Sequence, residues 1–193
     1  MSRRSVSRRA AAVLFALVIA SGVPATASAG SSDGTHCIFP GGTDFNELWG
    51  VTEAVVWFNC TIIGAGEDWR VADAWGMNRK FQGKPKGFVP AGDTPLDDFL
   101  AKFVSAKVVV DAGTPGQQVY VFDDTSRLLV GDNTVNAVTM GVMPALPVGQ
   151  HTVDAYWVMS ALHCDGFPKP KGGCLPAGES LGFSTAFEVI AKP

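Results

Sequence analysis

The sequence predicts a mainly β protein, a two-sheet antiparallel sandwich with one short helix near residues 94–104. Three observations carry this. Runs rich in Val, Ile, Phe, Trp and Thr recur at the roughly 8–12-residue spacing of a sandwich, with Gly, Pro, Asn and Asp between them. Only one segment combines helical spacing with start signals. Four cysteines, an even number beside an export-type leader, suit a disulfide-stapled domain.

The elements follow in chain order. Arg3, Arg4, Arg8 and Arg9 precede the apolar run AAAVLFALVIA, and Ala27-Ser28-Ala29 gives a small-x-small cleavage site. Residues 1–29 therefore read as a removed signal peptide, and 30–193 as a single secreted domain. Ser7-Arg8-Arg9 leaves the general and twin-arginine export routes both open. EAVVWFNCTII (53–63) reads as one buried strand. In DWRVADAW, Trp69, Val71, Asp73 and Trp75 share a face if the chain is extended. Thr94 caps a helix with Pro95 at its first position and Asp97 and Asp98 at its positive end; Leu96, Phe99, Leu100 and Phe103 form its apolar stripe. KVVVDA and QVYVF form a hairpin across TPGQ; RLLVG, VNAVTMGV, HTVDAYWVMSA and LGFSTAFEVIA supply the remaining strands.

The last strands carry a resemblance. LPVGQHTVDAYWVMSALHCDG, then GESLGFSTAFEVI, resembles the closing hairpin of bacterial immunoglobulin-like sandwiches, especially periplasmic copper-binding CopC-type domains. That family's ending has a Leu-x-x-Gly-x-Tyr-Thr-Val-x-Trp pattern and a final Gly-x-Phe-x-Phe-x-Val strand. The resemblance covers about 45 residues. It implies an immunoglobulin-like fold and, as a function, copper binding in the envelope. The family's ligand histidine at the mature N-terminus falls here on Gly30, its tyrosine on His151, and its turn is enlarged by a cysteine-bracketed loop.

Charge and cysteines narrow the function. The leader holds four of the 15 basic residues and no acid, so the mature chain would carry 11 basic against 18 acidic residues, a net of −7. That disfavours nucleic acid. The leader's apolar run is too short for a membrane span, and a monomer is expected. Sequence allows three cysteine pairings; proximity along the chain favours Cys37–Cys60 and Cys164–Cys174.

Four candidate sites follow. Gly178-Glu179-Ser180-Leu181-Gly182 matches the nucleophile-elbow pattern, but a strand and not a helix follows it, and no histidine lies beyond Ser180. Two His-Cys dipeptides suggest zinc, although neighbours in an extended chain point to opposite faces. His36, His151 and His163 form the candidate copper set. Trp69 and Trp75 form a candidate sugar platform with Asp73 between them, next to the basic residues Arg79, Lys80, Lys84 and Lys86. The expectation is a secreted, non-enzymatic binding domain without a cofactor; the alternatives are a copper-binding envelope protein and a module for carbohydrate or anionic cell-wall polymer.

Overall fold

The computed structural model describes residues 36–38, 42, 44–123, 127–130, 134–139, 141–168 and 172–192. The predicted signal peptide and cleavage site lie outside these residues. Among the described residues the fold is mainly β, with two helices where one was expected.

The additional helix, α1 (Phe45–Trp49), is a single turn. Asp44 caps it by accepting from the amides of Asn46 and Glu47, and Gly50 closes it at φ 59°, the left-handed conformation glycine tolerates best. The segment 53–63 is not one strand. β1 (Ala54–Val56) and β2 (Ile62–Gly64) flank a tight turn in which Trp57 and Cys60 exchange backbone hydrogen bonds of 3.1 and 2.9 Å. The turn sends β1 and β2 into different sheets. Asn59, a turn-forming residue at its tip, was the available signal inside an otherwise apolar run.

β3 (Trp69–Val71) and β4 (Asp73–Asn78) continue one line of chain interrupted at Ala72. α2 (Pro95–Lys102) begins in a complete capping box, Thr94 and Asp97 satisfying each other's backbone amides. It passes directly into β5 (Phe103–Val110), which ends the helix earlier than expected. β6 (Gln118–Phe122), β7 (Arg127–Val130), β8 (Thr134–Thr139) and β9 (Val142–Met143) follow. The long β10 (Gly149–Met159) and β13 (Gly178–Ile190) close the fold, with the two-residue strands β11 (His163–Cys164) and β12 (Cys174–Leu175) between them.

The larger sheet runs β2-β13-β10-β5-β6. Facing strands pair as β1-β3-β9 and β4-β8-β7. The arrangement is not purely antiparallel, because β1 pairs with β3 and β2 with β13 in parallel. The main core joins both groups: Val56, Trp69, Val71 and Met143 pack with Val108, Val153, Phe183 and Phe187. A second cluster surrounds the Cys37–Cys60 disulfide, where Phe45 stacks on Trp49 at 4.3 Å. The third lies beneath α2 and joins Met77, Phe99, Trp157, Met159 and Leu175.

α2 keeps most of its predicted stripe: Phe99 is fully buried, and Leu96 and Phe103 are partly buried against the same cluster. Pro95, Asp98, Phe99 and Lys102 turn inward, whereas Leu100 is exposed and Phe103 already belongs to β5. The buried positions keep helical spacing, but two of the four are charged.

Candidate functional site

Asp98 and His163 are fully inaccessible and Lys102 nearly so. Lys102 Nζ lies 2.6 Å from Asp98 Oδ1, which also accepts from the Ala91 amide at 2.6 Å. His163 Nδ1–H donates to Asp98 Oδ2 at 2.8 Å, since a carboxylate can only accept. Lys102 donates further to the Leu162 carbonyl at 2.7 Å, and its ammonium sits 4.6 Å from the Phe88 ring centroid. One lysine, one carboxylate and one neutral imidazole give a buried cluster of no net charge.

The ionisation of the cluster follows from these contacts. Burial alone would raise the Asp98 carboxyl, but the hydrogen bonds from Lys102, Ala91 and His163 outweigh it and hold the pKa below the ordinary aspartate value. Burial pushes the His163 pKa down, against the pull of Asp98. Its Nε2 has no hydrogen-bond partner, so a proton there would go unsatisfied. Phe99 and Trp75 meet the imidazole edge-on at 5.2 and 6.2 Å. This enclosed histidine meets no solvent; its role is to hold the chain that follows it.

That chain is the cysteine-bracketed loop. Cys164 and Cys174 face each other across β11 and β12 and are disulfide-bonded. Asp165 accepts from the amides of Phe167 (3.0 Å) and Gly173 (2.7 Å). The loop is tied sideways to the end of β4 and to the basic segment after it: the Asn78 amide donates to the Asp165 carbonyl and the Gln82 amide to the Gly166 carbonyl, both at 2.8 Å. Gly166 adopts φ +78°, and a Cβ there would run into the Pro95 ring. Between the two segments lies a cleft of about 120 Å³, lined by residues 83–85 on one side and by Cys164, Asp165, Phe167 and residues 172–174 on the other. Lys84 is its one cationic lining residue.

The predicted site residues distribute as follows. Cys37 is bonded to Cys60 and Cys164 to Cys174. Trp69 is fully buried, its indole N–H donating to the Pro144 carbonyl at 3.1 Å. It therefore forms no sugar platform with Trp75: the shared face of the strand is real but points into the core. Asp73 is also buried, with Oδ2 unpartnered. Trp75 is half-buried and reaches the cleft wall, its Cη2 lying 3.5 Å from where a Gly173 Cβ would stand. Arg79, Lys80, Lys84 and Lys86 are exposed.

The three histidines do not converge on one centre. Each engages a different aspartate: His36 with Asp44 at 2.6 Å, His151 with Asp111 at 2.7 Å, His163 with Asp98. His151 uses its other nitrogen on the Pro147 carbonyl. Among the described residues no three His, Cys, Asp or Glu side chains are grouped to hold a metal ion, which corrects the copper set and also the zinc set, whose cysteines are oxidised. Ser180 lies within β13, opposite Trp157, with its Oγ buried, and not at a strand-to-helix turn.

Sequence reasoning missed Asp98 and Lys102 as a buried pair. Their i, i+4 spacing was visible, but Asp98 was accounted for by the helix start and no role was read for Lys102. No protein-family model, curated protein or solved structure matches the chain.

Proposed function

We propose that this chain is a disulfide-stabilised, non-enzymatic binding domain that works outside the cytoplasm and takes its ligand at the cleft between residues 83–85 and the Cys164–Cys174 loop. The carrying observation is how heavily the described parts of that loop, residues 162–168 and 172–174, are fixed. A disulfide, a carboxylate holding two backbone amides and a buried three-residue charge cluster all converge on residues 162–168 and 172–174. A surface loop otherwise tends to be mobile, and the ordering of binding elements before the ligand arrives lowers the entropic cost of binding.

The leader and the two disulfides support an oxidising compartment. Among the described residues no helix is long and apolar enough to cross a membrane. The β10–β13 hairpin, paired from Gly149↔Val189 to Met159↔Gly178, supports an immunoglobulin-like reading of the sheets. The domain is read as a monomer. The test is to incubate the purified protein with polygalacturonate, dextran and short-chain esters. Binding without turnover is expected; turnover that disappears in Ser180→Ala would overturn the reading.

A further inference from the structure

We infer that the cleft receives one hydroxyl-bearing ring of a linear anionic glycan, while Arg79, Lys80, Lys84 and Lys86 meet acidic groups along the rest of that polymer. The inference rests on the cleft being the binding site, as proposed above.

Size comes first. At about 120 Å³ the cleft is well below the roughly 300–1,000 Å³ of pockets that enclose a small molecule. A cleft this small accommodates one ring at most, so a polymer seated there continues beyond it.

The second observation is where the charge lies. Four cations occupy residues 79–86, and no acidic residue occurs from 74 to 92, in a chain whose net charge is −3. Only Lys84 lines the cleft; the other three stand exposed along the loop outside it. Cations strung along a segment, and not gathered at a point, suit a repeating anion better than a single small one.

Asp165 supplies the third. This residue lines the cleft, with its carboxylate held by two backbone amides. It repels an anion placed inside the cleft but accepts hydrogen bonds from hydroxyl groups. Phe167 adds an apolar surface beside it. A hydroxyl-rich ring inside and acidic substituents outside describe an anionic glycan, and exclude polyphosphate as the better ligand.

The experiment compares polygalacturonate, dextran and inorganic polyphosphate against the wild-type protein and Lys80→Glu/Lys84→Glu, both positions being exposed. Polygalacturonate should bind most tightly, weaken roughly tenfold between about 50 and about 300 mM salt, and lose at least about tenfold in affinity in the double variant at an unchanged melting temperature. Polyphosphate binding as tightly as polygalacturonate, or polygalacturonate binding that survives the double reversal, would overturn the inference. Dextran binding equal to that of polygalacturonate would overturn the anionic class and leave the cleft reading standing. No polygalacturonate binding at all would overturn the inference, and the turnover and dextran arms then decide the broader reading separately.

Discussion

Replacing Lys102 with methionine is expected to cost about 3–5 kcal/mol of folding stability, the usual loss when one partner of a buried ion pair is removed. Methionine keeps most of the packing of the lysine stem but takes away the ammonium. Asp98 then stays fully buried with only the Ala91 amide and the His163 imidazole N–H to offset its charge. The Leu162 carbonyl loses its donor as well, so the strand that opens the cysteine loop loosens with it. Urea denaturation of Lys102→Met measures the cost. The double variant Asp98→Asn/Lys102→Met should recover much of it, because no buried charge is left without a partner. A single-variant loss below about 1 kcal/mol would mean that the pair contributes no more than a surface contact. The same cluster limits acid tolerance. His163 has a folded pKa below its ordinary value of 6.5, so its contribution is complete above about pH 6.5 and is lost as pH falls through the folded value.

Asp73→Asn should act in the opposite direction and stabilise the protein at alkaline pH. Burial pushes the Asp73 carboxyl up to about 7, against the pull of the neighbouring Trp157 indole N–H and the Ala74 amide. The indole is near but not well aimed, since neither Trp157 Nε1 nor Asp73 Oδ2 has a partner of good geometry. The close approach depends on Gly182, the extra residue of a bulge between Ala155↔Phe183 and Tyr156↔Leu181. A Cβ at Gly182 would stand 2.7 Å from Trp157 Nε1 and closer still to the carboxylate. The charged groups on α2, which also packs on β4, are Asp97, held in the capping box with Thr94, and Asp98 and Lys102, paired with each other.

The sign follows from linkage. Unfolded, Asp73 ionises near 3.8; folded, near 7. The folded state holds its proton more tightly, so stability falls as pH rises from about 4 to about 8. A shift of about three units corresponds to roughly 4 kcal/mol across that window. The difference in unfolding free energy between Asp73→Asn and wild type should therefore be small at pH 4 and reach roughly 2–4 kcal/mol in favour of the variant at pH 8. A difference that stays flat with pH would contradict the buried, proton-retaining carboxyl. Taking the difference removes the background from His151, whose pKa burial lowers but Asp111 and the Pro147 carbonyl raise further, for a net rise.

What could be read from the sequence was local. Thr94, Pro95 and Asp97 mark the start of α2 because capping involves neighbours in the chain. The cysteines pair with their nearest partners because each bridge closes a short loop. The segments of β10 and β13 were visible as strands because both alternate along their length. What could not be read depended on distant partners. Asp98 and His163 are 65 residues apart, and nothing in either segment shows that they meet. Alternation put Trp69, Val71 and Asp73 on one face of a strand but did not say that this face turns inward. Only Trp75, at the end of that strand, comes near the cleft.

The most direct test of the binding cleft is to map amide chemical shifts as a galacturonate oligomer is titrated in. The account predicts the largest changes at Gly83, Lys84, Gly172 and Gly173, which line the cleft. Changes confined to the outer face of the larger sheet, at the exposed Val119, Val121 and Leu181, would contradict it.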